Sequence, residues 1–189
     1  MNRSLTLPIL VAPEAEDRAM DEIELKRQLE RVHPDCFGWA MACCGRDRDD
    51  AEEVLQTVYL SVLDGRARYD ARSSFRTWLF GVIRRTAASE RRKAWLRGLL
   101  LMREAGRVEP AALASPDAGI ELESRRDGLR HALTRLAARQ REVLELVFYH
   151  DLTIEEAAAV MGVALGSART HYARGKARLA AMLNNSRDL

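Results

Sequence analysis

The stretch from Asp50 to Leu63, DAEEVLQTVYLSVL, decides the fold of this chain. Its apolar residues recur in steps of three and one, which is the spacing of one face of an α-helix. Asp50 followed three residues later by Glu53 predicts a helix that begins at Asp50 with a capping box. The opposite face carries acidic, amide and hydroxyl side chains, namely Glu52, Glu53, Gln56, Thr57 and Ser61. The stretch therefore predicts an amphipathic helix with a buried apolar side and an acidic exposed side.

A second amphipathic helix is predicted after a short loop that runs from Tyr69 to Ser74. Its apolar stripe is Phe75, Trp78, Leu79, Val82 and Ile83. Its other side and its end are basic, with Arg76, Arg84, Arg85, Arg91, Arg92, Lys93 and Arg97 against one acid, Glu90. Aromatic rings beside cations are typical of single-stranded nucleic acid binding, but Phe75 and Trp78 belong to the buried stripe. The loop is therefore the better candidate for holding an unpaired base.

The composition favours an all-α protein. The chain has 189 residues, 47% of them hydrophobic, is rich in Ala, Leu, Arg and Glu, and contains five prolines. Its net charge is only +2, but arginines gather at 84–107 and 169–178. Such segregation indicates polyanion binding at these two places, the alternative being a solvated basic surface. Without a glycine-rich phosphate loop or a catalytic triad, we expect no enzyme activity, no small-molecule substrate and no cofactor.

The pattern along the chain predicts two small helical domains joined by a flexible linker. Residues 1–20 have no periodicity and are expected to form a mobile N-terminal tail. Residues 21–97 form the first domain, in which Pro34 ends or restarts a helix. Glycines and prolines interrupt residues 98–122, which predicts the linker. Residues 123–189 form the second domain.

The second domain contains the pattern of a helix-turn-helix. Thr153 with Glu156 three residues later predicts a capping box, and Gly162-Val163 predicts a tight turn. The last helix is expected from about Gly166 to Leu183. Its outward residues include Ser167, Arg169, Thr170, His171 and Arg174, which suit contacts to base edges and phosphates. The alternative is an ordinary helical hairpin with a basic surface.

The cysteines indicate a reducing compartment. Three cysteines, two of them adjacent, do not form a disulfide framework, which favours the cytoplasm. His33, Cys36, Cys43 and Cys44 are weak candidates for a metal site, because tetrahedral zinc sites pair two well-spaced ligand couples. We therefore predict no metal and interpret the cysteines as small core residues. No apolar stretch approaches the roughly 20 residues of a membrane span, so no membrane insertion is expected.

Three segments resemble the group IV, or extracytoplasmic-function (ECF), sigma factors. They are Asp50-Ala-Glu-Glu-Val-Leu-Gln56, Phe75-Arg-Thr-Trp-Leu79, and the stretch from Leu136 through the Gly166-Ser167 helix. The resemblance covers about residues 25–97 and 123–183, which correspond to conserved regions 2 and 4 of larger sigma factors. It implies an alternative sigma factor that confers promoter specificity on bacterial RNA polymerase and initiates transcription of a dedicated regulon.

The resemblance also implies roles for particular residues. The β′ clamp of core RNA polymerase would contact Asp50, Glu52, Glu53, Leu55 and Gln56. The minus-ten element of promoter DNA would contact Tyr69, Asp70, Arg72, Ser73, Ser74, Arg76, Arg84, Arg85, Arg91 and Arg92, with the loop taking a flipped base. The minus-thirty-five element would contact Ser167, Arg169, Thr170, His171 and Arg174. The polymerase β flap and an anti-sigma factor are further implied partners, the latter able to hold the protein at the inner membrane.

The chain departs from the family pattern at three places. Arg85 stands where the family usually has Asn, which leaves the details of strand opening undetermined. Leu136-Ala137 replaces the usual Leu-Pro, and Tyr172 replaces an aliphatic residue in the recognition helix. Two rival functions stay open at this point: a free-standing helix-turn-helix transcription regulator, and a sigma-like interaction module that binds an anti-sigma protein.

Overall fold

The computed structural model describes residues 22–105 and 132–185, with side chains for 22–100 and 132–184. These ranges contain six α-helices, a further helical turn at 132–134 and no strand, so the all-α prediction is confirmed. We number the helices α1 (Glu22–Cys43), α2 (Arg48–Leu63), α3 (Phe75–Ala105), α4 (Ala138–Phe148), α5 (Ile154–Met161) and α6 (Leu165–Asn185). The predicted tail at 1–20 and the part of the predicted linker at 106–122 lie outside the described residues.

Helix α1 is continuous, although the sequence predicts an interruption at Pro34. Proline inside a helix removes one hydrogen bond and crowds the carbonyl four residues before it. The helix continues because one uninterrupted face is buried against α2 and α3. The buried residues of this face are Leu29, Val32, Cys36, Trp39, Ala40 and Cys43. The prediction of two helices over this segment is therefore wrong.

The N-cap of helix α2 lies three residues earlier than predicted. Its N-cap is Asp47, whose carboxylate accepts a hydrogen bond from the Asp50 N–H at 3.0 Å. The turn before it passes through two left-handed residues, Gly45 and Arg46. The prediction of Asp50 as the cap is wrong, because Asp47 is the acidic residue that stands outside the first turn. The predicted apolar stripe is buried, however, at Ala51, Val54, Leu55, Val58 and Val62.

Helix α3 is longer than the sequence predicts. It begins after Ser74, whose hydroxyl accepts a hydrogen bond from the Thr77 N–H at 3.1 Å. It continues to Ala105, past residue 98 where the linker was predicted to begin. A single glycine in a helix costs only about 1 kcal/mol, so Gly98 does not end α3. The helix therefore extends eight residues into the predicted linker.

The predicted helix-turn-helix is formed by α5 and α6. The Thr153 hydroxyl accepts from the Glu156 N–H, and the Glu156 carboxylate accepts from the Thr153 N–H, which completes the capping box. Gly162 ends α5 in the left-handed conformation, where a residue without Cβ is favoured. α6 then starts at Leu165, one residue before the predicted position. The sequence thus located this motif from its caps alone.

The helices form two groups, α1–α3 and α4–α6, that pack directly against each other. α5 lies against α3, and one hydrophobic cluster joins the buried face of α1–α3 to residues of the second group. The residues contributed by the second group are Val143, Leu146, Leu152, Ala157, Val160 and Met161. A smaller cluster within the second group holds Leu133, Leu136 and Leu144 against α6. The two groups thus share a core in this conformation.

Candidate polymerase and DNA surfaces

The acidic face of α2 is exposed to solvent. Four of the five predicted polymerase contacts have exposed side chains: Asp50, Glu52, Glu53 and Gln56. The fifth, Leu55, is only 3% exposed. Arg48 donates to Glu52 at 2.8 Å, but an exposed i,i+4 pair contributes only about 0.3–0.5 kcal/mol. Within the described residues Asp50, Glu53 and Gln56 form no ion pair with a cation, so the face remains acidic.

An apolar groove of about 510 Å³ lies beside this face, between α1 and α2. Its lining consists of His33, Phe37, Arg48, Glu52, Leu55, Gln56, Tyr59, Leu60 and Leu63. Leu60 and Leu63 are 49% and 41% exposed, so two large apolar side chains of α2 face solvent beside the acidic residues. The groove therefore gives the acidic face an apolar neighbour, to which Leu55 contributes.

The loop before α3 is held by its own side chains. The Tyr69 hydroxyl donates to the Ser73 carbonyl at 2.5 Å. The Tyr69 ring packs against Phe75 and Trp78, with both centroid distances at 5.4 Å. Ala71 adopts a φ of 56°, a left-handed conformation that is costly for a residue with a Cβ. The predicted contacts Asp70, Arg72 and Ser74 are exposed, whereas Tyr69 and Ser73 are half-buried.

The predicted DNA-binding arginines of α3 differ in how accessible their side chains are. Arg85 and Arg92 are exposed and form no hydrogen bond or ion pair within the described residues. Arg91 donates to the Cys43 carbonyl at 2.5 Å. Arg76 and Arg84 are engaged more deeply, because their side chains are only 33% and 21% exposed.

Arg76 and Arg84 are both bound by acceptors outside α3. Arg76 donates to Asp35 of α1 at 3.0 Å and to the His150 carbonyl at 3.0 Å. Arg84 forms an ion pair with Glu142 of α4. The structure thus brings these two arginines to the contact between the helix groups, away from Arg85 and Arg92.

Two carboxylates of α4 at this contact were not predicted as functional. Glu142 pairs with Arg84, and Glu145 accepts from Arg46 at 3.3 Å. Burial raises the pKa of both carboxyl groups, although the neighbouring arginines act in the opposite direction. A signal existed in the sequence, since Glu145 stands inside the buried run Val143–Leu146 and a charge in such a place needs a partner. Its partner, 99 residues away, could not be deduced from spacing.

His150 lies at the same contact, between aromatic rings of the first group. Its ring is 5.7 Å from that of Trp39 and 4.9 Å from that of Phe80, both edge-on. Burial lowers the pKa of His150, and the Arg76 cation lowers it further, while Asp35 and Asp151 act to raise it. The Trp39 indole N–H donates to the Phe80 carbonyl at 3.0 Å, which fixes the ring.

The predicted recognition helix, α6, presents a polar face. Its early side chains Ser167, Arg169, Thr170 and Arg174 are exposed, and His171 is half-buried. The Thr170 hydroxyl donates to the Gly166 carbonyl at 2.9 Å. On the inner side, Gly175 packs closely on Gln140 and Leu144 of α4. Tyr172, the departure from the family pattern, packs against Phe148 with ring centroids 6.0 Å apart.

The cysteines are thiols of the core. Cys36 and Cys43 are buried and Cys44 is half-buried. Burial raises the pKa of Cys36 to about 12 and that of Cys44 to about 11, so these thiols are protonated at neutral pH. His33, the fourth weak metal candidate, instead lies 3.0 Å from the Tyr59 hydroxyl through Nδ1. Within the described residues, no three His, Cys, Asp or Glu side chains are grouped as metal ligands.

The described helices include none with the length and apolar character that crossing a bilayer requires.

Two family models match this chain. The Sigma-70 region 2 model matches residues 29–97, and the Sigma-70 region 4 model matches residues 126–179. Sigma factor CarQ of Myxococcus xanthus is 32% identical over 70% of this chain and 74% of its own length. ECF sigma factor SigF of Caulobacter vibrioides is 30% identical over 69% of each chain.

Solved structures agree with these matches. The sigma factor RpoE of Bartonella quintana, determined in complex with the anti-sigma factor NepR, is 25% identical with a TM-score of 0.63. The similarity covers 84% of this chain and 96% of that one. The sequence and fold thus agree over both helix groups, and the chain belongs to the group IV (ECF) sigma factors, the alternative sigma factors that direct bacterial RNA polymerase to promoters.

Proposed function

We propose that this sigma factor binds core RNA polymerase through α2 and promoter DNA through α3 and α6. The observation that carries the proposal is the separation of charge between exposed helix faces. Carboxylates lie on α2, while exposed cations lie on the far part of α3 and the early part of α6. A protein that binds an enzyme and a polyanion together needs such separated surfaces.

The polymerase surface comprises Asp50, Glu52, Glu53 and Gln56, with Leu55 in the adjacent groove. The docking helix of the β′ clamp would place cations against the carboxylates and apolar side chains against Leu60 and Leu63. Apolar contact supplies affinity, and charge complementarity supplies orientation and association rate. The exposure of two leucines next to the acidic face supports this division.

The minus-thirty-five surface is the exposed early part of α6. In helix-turn-helix proteins the second helix enters the major groove with its N-terminal residues against base edges. Ser167, Thr170 and His171 would contact bases, while Arg169 and Arg174 contact phosphates or guanine. The polar exposed face and the close packing of Gly175 on α4 support this orientation.

The minus-ten surface comprises the loop from Tyr69 to Ser74 and the α3 arginines. The three-ring cluster under the loop gives it a fixed shape, and exposed Asp70 and Arg72 flank the place for an unpaired base. Arg76, Arg84, Arg85, Arg91 and Arg92 would follow the phosphates of the opening strands, a contact that weakens as salt rises.

We also propose an anti-sigma factor as a regulatory partner and the β flap of polymerase as a contact of the second helix group. The support for the first is the complex of Bartonella quintana RpoE with NepR. The cytoplasm is the expected location, with a membrane-bound anti-sigma factor as the means of retention at the inner membrane. The cysteine usage supports a reducing compartment.

Run-off transcription tests the proposal. Purified protein and core polymerase are incubated with a library of promoters, and the expected result is a transcript set that core polymerase alone does not produce. Glu53→Lys should lower co-elution with core polymerase by about tenfold, since a reversed charge faces the same clamp. Glu22→Lys, the same charge reversal at an exposed position at the start of α1, is the matched control, because it lies outside both proposed polymerase contacts.

The two rival functions predict different results. A free-standing regulator would shift promoter DNA in a gel without polymerase and would leave run-off transcription unchanged. An interaction module would bind an anti-sigma protein but neither join core polymerase nor support a transcript. Either result would overturn the proposed function.

A further inference from the structure

The far end of α3 carries large apolar side chains on its surface. Among the described side chains of this helix, the last buried one is Ala87, and every side chain from 91 to 97 is exposed. The helix therefore continues beyond the hydrophobic core. The exposed fractions of its large apolar side chains here are 65% for Trp95, 45% for Leu96, 48% for Leu99 and 60% for Leu100. Single exposed apolar residues are ordinary, but a group of them on one helix marks an interaction surface.

These four side chains form one face, which we call the apolar end of α3. Trp95 and Leu99 are four residues apart, as are Leu96 and Leu100, so all four lie within an arc of about 140°. A helix with an apolar arc wider than about 100° normally buries it against an apolar neighbour. The core of the protein stops at Ala87, about two turns before this face begins. The described residues therefore supply no neighbour for it.

Cations lie along both edges of the apolar end. By helical spacing, Arg91 lies about 40° outside one edge, and Lys93 and Arg97 lie about 20° and 60° outside the other. Glu90 is the one acid among residues 88–100, and it pairs with Lys93 at 2.8 Å. Arg97 forms no ion pair within the described residues. A partner that covers this face must therefore be apolar at its centre and anionic around it.

We propose that the apolar end of α3 binds the surface of an anionic phospholipid membrane. Its four apolar side chains would lie at the upper ends of the acyl chains, and the cations beside them would contact lipid phosphates. Basic amphipathic helices that carry Trp and Leu bind bilayers in this way. Tryptophan favours this depth because its ring is apolar and its N–H is polar. The face is too short to cross a bilayer, which takes about 20 apolar residues.

Two other occupants match the surface less well. A second copy of this chain would bring the cations beside one apolar end against those beside the other, and like charges across an interface repel. Single-stranded nucleic acid would match the cations, but it stacks its bases on aromatic rings. Of the four side chains only Trp95 has such a ring. A membrane accommodates the three leucines as well. The inference goes beyond the proposed function and does not rest on its polymerase or DNA contacts.

Vesicle binding by the full-length chain tests the proposal. One set of vesicles contains phosphatidylglycerol and phosphatidylcholine in equal parts, and the other contains phosphatidylcholine alone. Trp95→Ala/Leu99→Ala removes half of the apolar end. Phe148→Ala/Tyr149→Ala is the matched control, because it removes two large side chains that are 55% and 57% exposed on the second helix group. Co-sedimentation measures binding, and circular dichroism checks that each variant is helical.

Wild type should bind the anionic vesicles and stay in solution with the neutral ones. Trp95→Ala/Leu99→Ala should bind the anionic vesicles at least about tenfold more weakly, because two large side chains no longer leave water. The matched control should bind like wild type. Arg97→Gln should weaken binding by about fivefold, the contribution of one cation near an anionic surface. Arg178→Gln, an exposed change on α6, is its control.

A second measurement locates the contact and needs no variant of reduced apolar area. Phospholipids with bromine on their acyl chains quench the fluorescence of a tryptophan that touches them. They should quench wild type and leave Trp95→Phe unquenched, because Trp39 is buried and Trp78 packs against the core. Quenching that persists in Trp95→Phe would overturn the assignment of the apolar end.

Three further results would overturn the proposal. The first is equal binding to anionic and neutral vesicles, and the second is the same loss in Trp95→Ala/Leu99→Ala and in its control. The third is wild type that binds neither kind of vesicle, with the apolar end serving instead in a dimer or on single-stranded DNA of random sequence. None of these results bears on run-off transcription, because the vesicle experiments contain neither polymerase nor promoter. The two proposals can therefore fail separately.

Discussion

The arginines of α3 and those of α6 belong to surfaces of different accessibility. Arg84 is bound by Glu142 across the contact between the helix groups, and Arg76 is bound from both groups. Arg169 and Arg174 are exposed and form no ion pair within the described residues. Charge alone therefore does not make a surface available for DNA, since a cation held by a carboxylate at a shared core must first be released. The α6 surface is available in this conformation, and only part of the α3 surface is.

Trp39→Ala should have the largest effect, because it breaks the core that makes the two surfaces interdependent. Trp39 is 1% exposed and contacts both Phe80 and His150. Replacing a buried tryptophan by alanine typically lowers the free energy of unfolding by about 3–5 kcal/mol. Urea unfolding followed by circular dichroism gives the measurement. Trp39→Phe is the milder comparison variant, because it keeps an aromatic ring in the core while it loses the hydrogen bond to the Phe80 carbonyl and part of the ring volume.

Wild-type protein should unfold in one transition in this experiment if the shared core couples the helix groups. Two separated transitions, with only the first moved by Trp39→Ala, would show that the groups are energetically independent. The comparison between α3 and α6 would then reduce to a difference in local ion pairing.

Arg84→Ala should have the next largest effect and sharpens the comparison within α3 itself. It leaves the half-buried Glu142 without its partner across the contact, and removing one member of a buried pair costs up to about 3–5 kcal/mol, less where the pair is partly exposed. We expect a loss of about 2 kcal/mol in the free energy of unfolding. Arg85→Ala is a matched control, since an exposed change typically stays within about 0.5 kcal/mol. Equal losses in both variants would contradict the assignment of Arg84 to the contact.

The difference between Arg84 and Arg85 also shows what the sequence could not provide. Helical periodicity places both on the polar side of α3, and only the fold decides which one meets α4. The same limit explains Asp47 and Pro34, where a left-handed turn and a continuous buried face overrule the local signals. Contacts between residues far apart in the chain have no fixed sequence spacing, so no local pattern predicts them.

Local motifs were predictable for the opposite reason. The capping box of Thr153 with Glu156 and the turn at Gly162 involve residues within a few positions of each other. The apolar stripe of α2 likewise follows from spacing, and its buried residues are those that the sequence predicts. The exposed candidates on α2 and α6 were found because amphipathic helices divide their faces by local rules. Glu142 and Glu145 were missed because their role depends on a partner group.

Arg174→Ala tests the α6 side of the comparison and should have a moderate effect. Arg174 is exposed, so its removal should leave the free energy of unfolding within about 0.5 kcal/mol. Loss of one DNA contact should weaken holoenzyme binding to the upstream element by about 1–3 kcal/mol, or roughly tenfold or more. Promoter binding by holoenzyme and affinity for core polymerase are measured side by side. Lys176→Ala, further along the same helix and over the Tyr172 ring, is the control, and equal promoter binding by wild type and Arg174→Ala would remove Arg174 from the DNA surface.

The smallest effect should be a pH dependence that originates at His150. Burial lowers its pKa in the folded protein, whereas in the unfolded chain it stays near the usual value of about 6.5. Between these two values the unfolded state binds more protons, so folded-state stability is fully present above pH of about 6.5 and declines as pH falls through this window. For the uptake of one proton, the free energy of unfolding cannot change by more than about 1.4 kcal/mol per pH unit. Glu142 and Glu145 contribute with the opposite sign, because their raised pKa values favour the folded state at low pH and lose that contribution as pH rises.

The contribution of His150 is isolated by subtracting the stability of His150→Gln from that of wild type at each pH. Both proteins keep the two glutamates, so the difference curve removes their contribution. We expect wild type to lose stability relative to the variant as pH falls below about 6.5, since Gln at this position takes up no proton. A flat difference curve would mean that the imidazole has the same pKa in both states, and His150 would then have to be hydrated at the contact between α3 and α4–α6. That outcome would place water between the two surfaces and weaken the case that α3 is masked by packing.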